Sequence, residues 1–239
     1  MMNIALIGTG KMGRAIQEIA QQRGHRITLA IDSSTQHLLT SDSLKATDVA
    51  IEFTSPHSAF QNVTRCLEAG IPTVCGSTGW TSSLETATSL CRQLNGSFIY
   101  ASNFSIGVNL FFELNKKLAS LMAAQPNYEV ILEEIHHTQK KDAPSGTAIT
   151  LAEQILDLLD RKKQWVNDIS DNPEDLEIIS QRIDPTPGTH SIKYSSVIDD
   201  IEIIHTAHNR TGFAAGAVRA AEYIVDKKGV FTMKDVLGL

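Results

Sequence analysis

The chain has no long apolar run, few cysteines and no surplus of basic residues, and each shortage removes a class of protein. No stretch approaches the ~20 consecutive apolar residues that a membrane-spanning helix needs. The apolar run before Gly8 is too short for a secretory signal. Cys66, Cys75 and Cys91 are odd in number and form no C-x-x-C pair. They support neither a disulfide framework nor a zinc ribbon, and read as reduced, buried thiols of a cytoplasmic protein. The formal net charge of −6 argues against a nucleic-acid binder, which needs a basic face. A small anionic ligand would therefore depend on a local positive pocket. Internal repeats and low-complexity tracts are also missing.

What is present is a rhythm over 239 residues, room for one large domain or two modest ones. Residues 4–7, 27–31, 49–53, 73–75 and 98–101 have the composition of short buried strands, and 11–22, 56–69 and 82–94 have helical spacing. This alternation predicts a doubly wound parallel sheet of the Rossmann type. After Asn103 the pattern changes: helices at 108–123 and 147–159 flank a strand at 129–135, and strands at 178–183, 191–197 and 201–206 run in series. Consecutive strands predict an α+β domain with a mixed or antiparallel sheet. Residues 162–174 are polar and read as a loop, and 214–225 as a helix stopped by Lys227-Lys228-Gly229. The expected division is a dinucleotide-binding domain over 1–104, completed by 210–239, and a substrate-binding and oligomerisation domain over 105–209.

Gly8-Thr9-Gly10-Lys11-Met12-Gly13 follows the first strand and opens the first helix, and Asp32 stands nineteen residues beyond Gly13. Glycine triplets arise by chance, but strand, helix and acid in these places point to a dinucleotide. Gly8 permits the tight turn, Gly10 lets the backbone approach a pyrophosphate, and Gly13 lets the helix lie close to the sheet. The helix start offers free N–H groups to phosphate. Asp32 would accept bonds from ribose hydroxyls and repel a 2′-phosphate, which favours NADH over NADPH, although Lys11 partly compensates. Phe53-Thr54, Gly76-Ser77-Thr78-Gly79 and Ser102-Asn103-Phe104 end later strands at the same edge; ordinary turn chemistry explains them as well as a cofactor does.

The most informative segment is residues 134–148, with His136-His137, Lys140-Lys141 and Pro144-Ser145-Gly146-Thr147. Pro144 holds Ala143 extended, and Ser145 stands where a helix N-cap belongs. With no Glu or Gln at 148, N–H groups near Gly146 and Thr147 suit a carboxylate, though a capped helix without a ligand is the simpler reading of that segment alone. A strand through both histidines would send them to opposite faces, so only one faces the pocket. Histidine suits proton transfer because its unperturbed pKa is near neutral. His205 and His208 are three apart on an expected strand and suit chelation poorly, so no metal is expected.

His136-His137, Lys140 and Asp142-Ala143-Pro144-Ser145-Gly146-Thr147-Ala148 closely resemble the signature of the 4-hydroxy-tetrahydrodipicolinate (dihydrodipicolinate) reductase family of lysine and diaminopimelate synthesis. The likeness continues through the glycine turn, Phe53-Thr54, Gly76–Gly79, residues 102–109, and 212–219. The resemblance implies His136 as acid/base and Lys140 as proton donor, with His137, Ser145, Gly146 and Thr147 binding a small cyclic dicarboxylate. It implies NADH or NADPH against Gly8–Gly13, Asp32, Phe53, Thr54, Gly76, Ser77, Thr78, Ala101, Ser102, Asn103 and Phe104. It also implies a homotetramer, with residues 191–206 pairing between subunits, and closure about the Asn103 and Arg210 regions. Glu52 departs from the Asp common before Phe-Thr, Ser33 lacks the basic character of members that use NADPH readily, and the chain is short for the family. Two rivals stand beside this reading: another small-acid NAD-dependent dehydrogenase of the same fold, and a non-catalytic nicotinamide sensor.

Overall fold

The computed structural model describes every residue except Arg210, so the expected hinge at that position lies outside the described residues. The chain divides into two units, Met1–Ile106 with Arg210–Leu239, and Gly107–Asn209. The first opens with β1 (Asn3–Ile7), α1 (Lys11–Gln22), β2 (Arg26–Ile31), α2 (Ser41–Leu44), β3 (Val49–Glu52), α3 (Pro56–Glu68), β4 (Thr73–Cys75), α4 (Leu84–Gln93) and β5 (Ser97–Tyr100). The second unit contains β6 (Glu129–His136), α6 (Gly146–Leu156), β7 (Gln164–Val166), β8 (Asp175–Arg182), β9 (Gly188–Ser195) and β10 (Asp200–Ala207), preceded by α5 (Ile106–Met122). The chain then returns to the first unit with α7 (Thr211–Ile224), β11 (Gly229–Phe231) and α8 (Met233–Leu237).

In the first unit the order is β11-β5-β4-β3-β1-β2 with every pair parallel. β1 is apolar at successive positions because helices cover both faces of a parallel sheet. Ile4 and Leu6 enter a core with Ile16 of α1 and Ala217 and Ala221 of α7, whereas Ala5 and Ile7 pack with Leu44 and Cys66 on the other side. With β2 on one side of β1 and β3 on the other, the winding direction reverses there. The carboxyl ends of β1 and β3 therefore flank the crevice in which ligands of open α/β sheets sit.

The glycine turn meets its steric demands at two positions. Gly8 has φ +104°, and a Cβ there would stand 2.0 Å from the Phe53 carbonyl oxygen. A Cβ on Gly13 would stand 1.8 Å from the Gly8 carbonyl oxygen, so α1 lies against the turn only because that carbon is missing.

The second unit carries a mixed sheet, ordered β10-β9-β6-β8-β7. β6 pairs antiparallel with β9 and parallel with β8, so it is the central strand. Its burial alternates, with Val130, Leu132, Glu134 and His136 inward, and α6 covers that face through Ala148, Leu151, Ala152 and Ile155. The polar stretch 162–174 is not all loop: it contains β7, parallel to β8, because Lys162 is buried and donates to Glu129 and to the Pro173 and Asp175 carbonyls. Three residues between polar flanks give no readable periodicity. The sequence pattern likewise gave no sign of α2, β11 or α8. His205 lies in β10, but His208 comes after its end, so the two do not share a strand.

Candidate active site

In the first unit, the residues expected to hold a cofactor come together at the carboxyl edge of the sheet. α1 begins at Gly10 with no side-chain cap and no acid in its first turn, and the space where a Gly10 Cβ would stand is open. That is what an anionic group approaching the helix N-terminus requires. Asp32 comes just after β2 and is fully exposed. Its Oδ1 accepts from Ser34 N (2.9 Å), Ser34 Oγ (2.6 Å), Thr35 N and Thr35 Oγ1 (both 3.0 Å). Those bonds, led by the Ser34 and Thr35 hydroxyls, hold the carboxyl down to about 2, so it is an anion at neutral pH. None of them uses Oδ2.

The loops after β3 and β4 are tied together. Ser77 Oγ accepts from Thr54 N at 2.7 Å, and the ring of Phe53 fills the space above Gly76 while tilting against Phe104 at 5.6 Å. Beneath them lies a group that the sequence marks only as a departure from the Asp common before Phe-Thr. Glu52, fully buried, accepts from Thr54 N (3.1 Å), Thr54 Oγ1, Asn62 Nδ2 (3.4 Å) and Cys75 Sγ (3.0 Å). It anchors Thr54 and joins β3 to β4. Asn103 is buried and accepts from Ser105 N at 2.9 Å, Ala101 N donates to the Cys75 carbonyl, and Thr78 and Ser102 are exposed. Thr9 is half-buried, Lys11 exposed and Met12 packed against the core.

In the second unit the chemistry gathers on the inward face of β6. Glu134 and His136 are two residues apart on one strand and therefore share that face. Register places His190 of β9 and Ser180 of β8 on either side of Glu134, and Arg182 beside His136. Glu134 Oε1 accepts from Ser145 N (3.0 Å), Ser180 Oγ (2.8 Å) and Arg182 Nη2 (3.2 Å). Its Oε2 faces His136 Nδ1 at 3.3 Å and His190 Nε2 at 3.6 Å. Burial pushes the Glu134 carboxyl up, but the donors at His190, Ser145 and Ser180 outweigh it and hold it well below the usual carboxylate range. His136 moves the other way from a protonated imidazole. Burial lowers it from 6.5 to about 4 against the pull of Glu134, and His190, Lys140 and Arg182 add to the lowering. At neutral pH the face therefore holds an anion and a neutral imidazole.

The loop after β6 carries the remaining candidates. β6 ends at His136, leaving His137 half-buried in the turn. Lys140 Nζ is held by both oxygens of Asp142, at 2.9 and 2.8 Å. Arg182 fastens the loop from below, donating to the carbonyls of Lys140 and Asp142 as well as to Glu134. Asp184 accepts from Thr138 N at 3.1 Å and Thr138 Oγ1 at 2.6 Å. The Ala143–Pro144 peptide is cis, and Ser145 caps α6 by accepting from Ala148 N at 3.2 Å. Gly146 is exposed and Thr147 half-buried at the first turn of that helix.

Sequence reasoning missed Glu134, Arg182 and His190. A signal existed for the first: a carboxylate in phase with the inward-facing Val130 and Leu132 of its strand. Glu134, His136 and His190 place one oxygen and two nitrogens within 4.8 Å of one another, a spacing that a metal also accepts, though none was expected. The guanidinium already on that carboxylate and the Ser145 hydroxyl 3.2 Å from His190 Nε2 explain the group without one.

Two family models divide the chain between them. Residues 2–104 match dihydrodipicolinate reductase, N-terminus, and residues 107–237 match dihydrodipicolinate reductase, C-terminus. The chain belongs to the dihydrodipicolinate reductase family. A 4-hydroxy-tetrahydrodipicolinate reductase of Christiangramia forsetii is 51% identical, covering 99% of this chain and 98% of that protein. The enzyme of the same name from Chromobacterium violaceum is 33% identical over 99% of this chain and 98% of its own. Among solved structures, dipicolinate-bound dihydrodipicolinate reductase from Paenisporosarcina sp. TG-14 superposes with a TM-score of 0.76 at 26% identity, covering 97% of each chain. Family membership accounts for both a parallel nucleotide-binding sheet and a mixed second sheet in one chain. Among the described residues no helix is long and apolar enough to cross a membrane.

Proposed function

We propose that this protein reduces 4-hydroxy-tetrahydrodipicolinate to tetrahydrodipicolinate with a nicotinamide cofactor, in lysine and diaminopimelate biosynthesis. The observation that carries the reading is the inward face of β6. There a buried neutral His136 lies beside an anion, below a loop bearing Lys140, in a chain matched by both family models. The cofactor, when bound, supplies a hydride to C4 of the ring. Loss of water takes the 4-hydroxyl and one ring proton, and hydride addition then requires one proton to complete the reduction. His136 is suited to accept and return a proton, and Lys140 to donate one. His137, Ser145, Gly146 and Thr147, around the start of α6, form the seat for a substrate carboxylate. Gly8–Gly13, Asp32, Phe53, Thr54, Gly76–Thr78 and residues 101–104 form the cofactor side.

NADH is the preferred donor in this reading. Asp32 is ionised at neutral pH, and residues 33–35 are Ser-Ser-Thr, with no cation for a 2′-phosphate. Initial rates with the cyclic substrate test both parts of the proposal. We expect turnover with either cofactor and a higher kcat/KM with NADH. An Asp32→Ser protein should gain about fivefold with NADPH, the scale of one unit charge ~4 Å away in water. No turnover with either cofactor would overturn the reductase reading, and an unchanged ratio would overturn the role of Asp32.

A homotetramer assembled through the second sheet completes the proposal. β10 is an edge strand, and Ile201 and Ile204 on it, with Val197 and Ile198 at its preceding turn, are exposed. Unpaired edges and exposed apolar side chains favour pairing with another copy. Light scattering should return about four times the 26.1 kDa chain mass, and a monomer mass at micromolar concentration would refute the assembly. The three cysteines are free and buried, in keeping with a reducing, cytoplasmic setting.

A further inference from the structure

His136 is set in surroundings more specific than a buried histidine needs. Its Nδ1 lies 3.3 Å from Glu134 Oε2 without the alignment of a formed hydrogen bond, and both atoms are buried with no other hydrogen-bond partner among the described residues. Its Nε2 points the other way, over Gly188 of β9. A Cβ at that position would stand 3.1 Å from Nε2, so the missing side chain leaves this nitrogen its clearance. One nitrogen thus faces a fixed anion and the other the side-chain-free backbone of Gly188.

Glu134 is itself held from every side. Arg182 and Ser180 of β8 and the backbone N–H of Ser145 occupy Oε1, which leaves Oε2 for the two imidazoles. His190 stands across the ladder, its Nε2 at 3.6 Å from Oε2 and 3.2 Å from Ser145 Oγ, and its ring is edge-on to that of His136 at 5.1 Å. The other charged groups near this face are Lys140 and Asp142, paired with each other. Carboxylate and His136 imidazole can therefore form a hydrogen bond through a small ring rotation, since no other partner has to be displaced.

We propose that Glu134 is the positioning residue of His136: Oε2 accepts a hydrogen bond from Nδ1–H, fixing the tautomer in which Nε2 carries the lone pair towards the substrate, while His190 steadies the carboxylate from β9. The inference rests on the reading of His136 as the acid/base. The ring that burial keeps neutral at rest then has a use: an imidazole bonded in this way accepts a proton at Nε2, and the resulting cation is stabilised by the anion behind it. The logic is that of a carboxylate orienting a catalytic histidine.

The test is a Glu134→Gln protein in the full chain, with Gly188→Ala as the second variant. The first readout is the ¹⁵N spectrum of His136, which reports tautomer without any turnover. Wild type should show protonated Nδ1 and bare Nε2. E134Q should lose that preference, with kcat falling at least tenfold, KM for NADH unchanged, and the acid limb of the kcat profile displaced. Gly188→Ala should keep the wild-type tautomer yet lose turnover, because it crowds the Nε2–Cδ2 edge of the ring and not Nδ1. If E134Q keeps the tautomer, or loses only thermal stability with kcat intact, the proposal fails. Failure of wild type to reduce the substrate would defeat the reductase reading instead, and the spectrum would still decide the role of Glu134. If E134Q does not fold, the wild-type spectrum and Gly188→Ala decide: a wild-type proton on Nε2, or full activity in Gly188→Ala, overturns the assignment. Stoichiometric metal in the purified protein would also overturn it, because the same atoms would then be ligands.

Discussion

Replacing His136 by glutamine is expected to lower kcat by about 10²–10⁴-fold while leaving NADH affinity unchanged. The size reflects the usual contribution of a placed acid/base group. The selectivity reflects location, since His136 belongs to the second unit and the residues proposed to hold the cofactor to the first. Stopped-flow turnover and fluorescence titration with NADH separate the two quantities, and near-normal kcat would remove His136 from the mechanism. The same variant should change the response to acid. An unfolded chain protonates this histidine near its ordinary 6.5, but the folded one only near 4. Stability present above 6.5 is therefore lost as the pH falls through the interval between those values. For wild type the loss from this group between pH 7 and pH 5 is about 2 kcal/mol, and glutamine, which does not titrate, should remove that share. Urea midpoints at the two pH values measure it.

Replacing Arg182 by leucine is expected to destabilise the second unit by about 3 kcal/mol and to cut turnover as well. The side chain is four-fifths covered and bridges Glu134, which is fully buried, to the carbonyls of Lys140 and Asp142. Removing it leaves a buried carboxylate with Ser145 and Ser180 as its remaining donors to Oε1, and frees the loop that carries Lys140. The first effect lowers the denaturation midpoint, and the second raises KM for the dicarboxylate and lowers kcat. Lysine should recover part of the stability but little of the activity, because a point charge cannot span three acceptors at once. Wild-type midpoint and kinetics in Arg182→Leu would show that the guanidinium contributes to neither.

The parts of this fold legible in sequence are those in which one residue type answers to one local demand. Ile4 to Ile7 and Thr73 to Cys75 are buried on both faces, so their strands are continuous in composition. Ser145 caps α6 where Pro-Ser-Gly-Thr had placed it. β7 and β11 were illegible because neither has the fully buried apolar run of the equally short β4, and β11 is held by β5, far along the chain. The same reason hid most of the candidate site. His136 stands out as half of a pair, but Glu134 owes its importance to His190 across the ladder and to Arg182 on the other side. Those partners lie some fifty residues away, and only strand register makes them neighbours. Lys140 was legible as a charge, but its grip on Asp142 was not.

The last stretch of chain also governs the order in which the molecule can be completed during synthesis. The core on one face of the parallel sheet takes Ala214, Ala217, Val218, Ala220, Ala221, Ile224, Met233 and Val236 from α7 and α8, and β11 forms the sheet's outer strand. A nascent chain that has emerged only as far as residue 209 holds the whole second unit, but on that side Leu6, Ile51 and Val74 lack the cover of α7 and α8 and have α1 alone. The half translated first is thus the half finished last, contrary to the usual order in which N-terminal domains fold ahead of later ones.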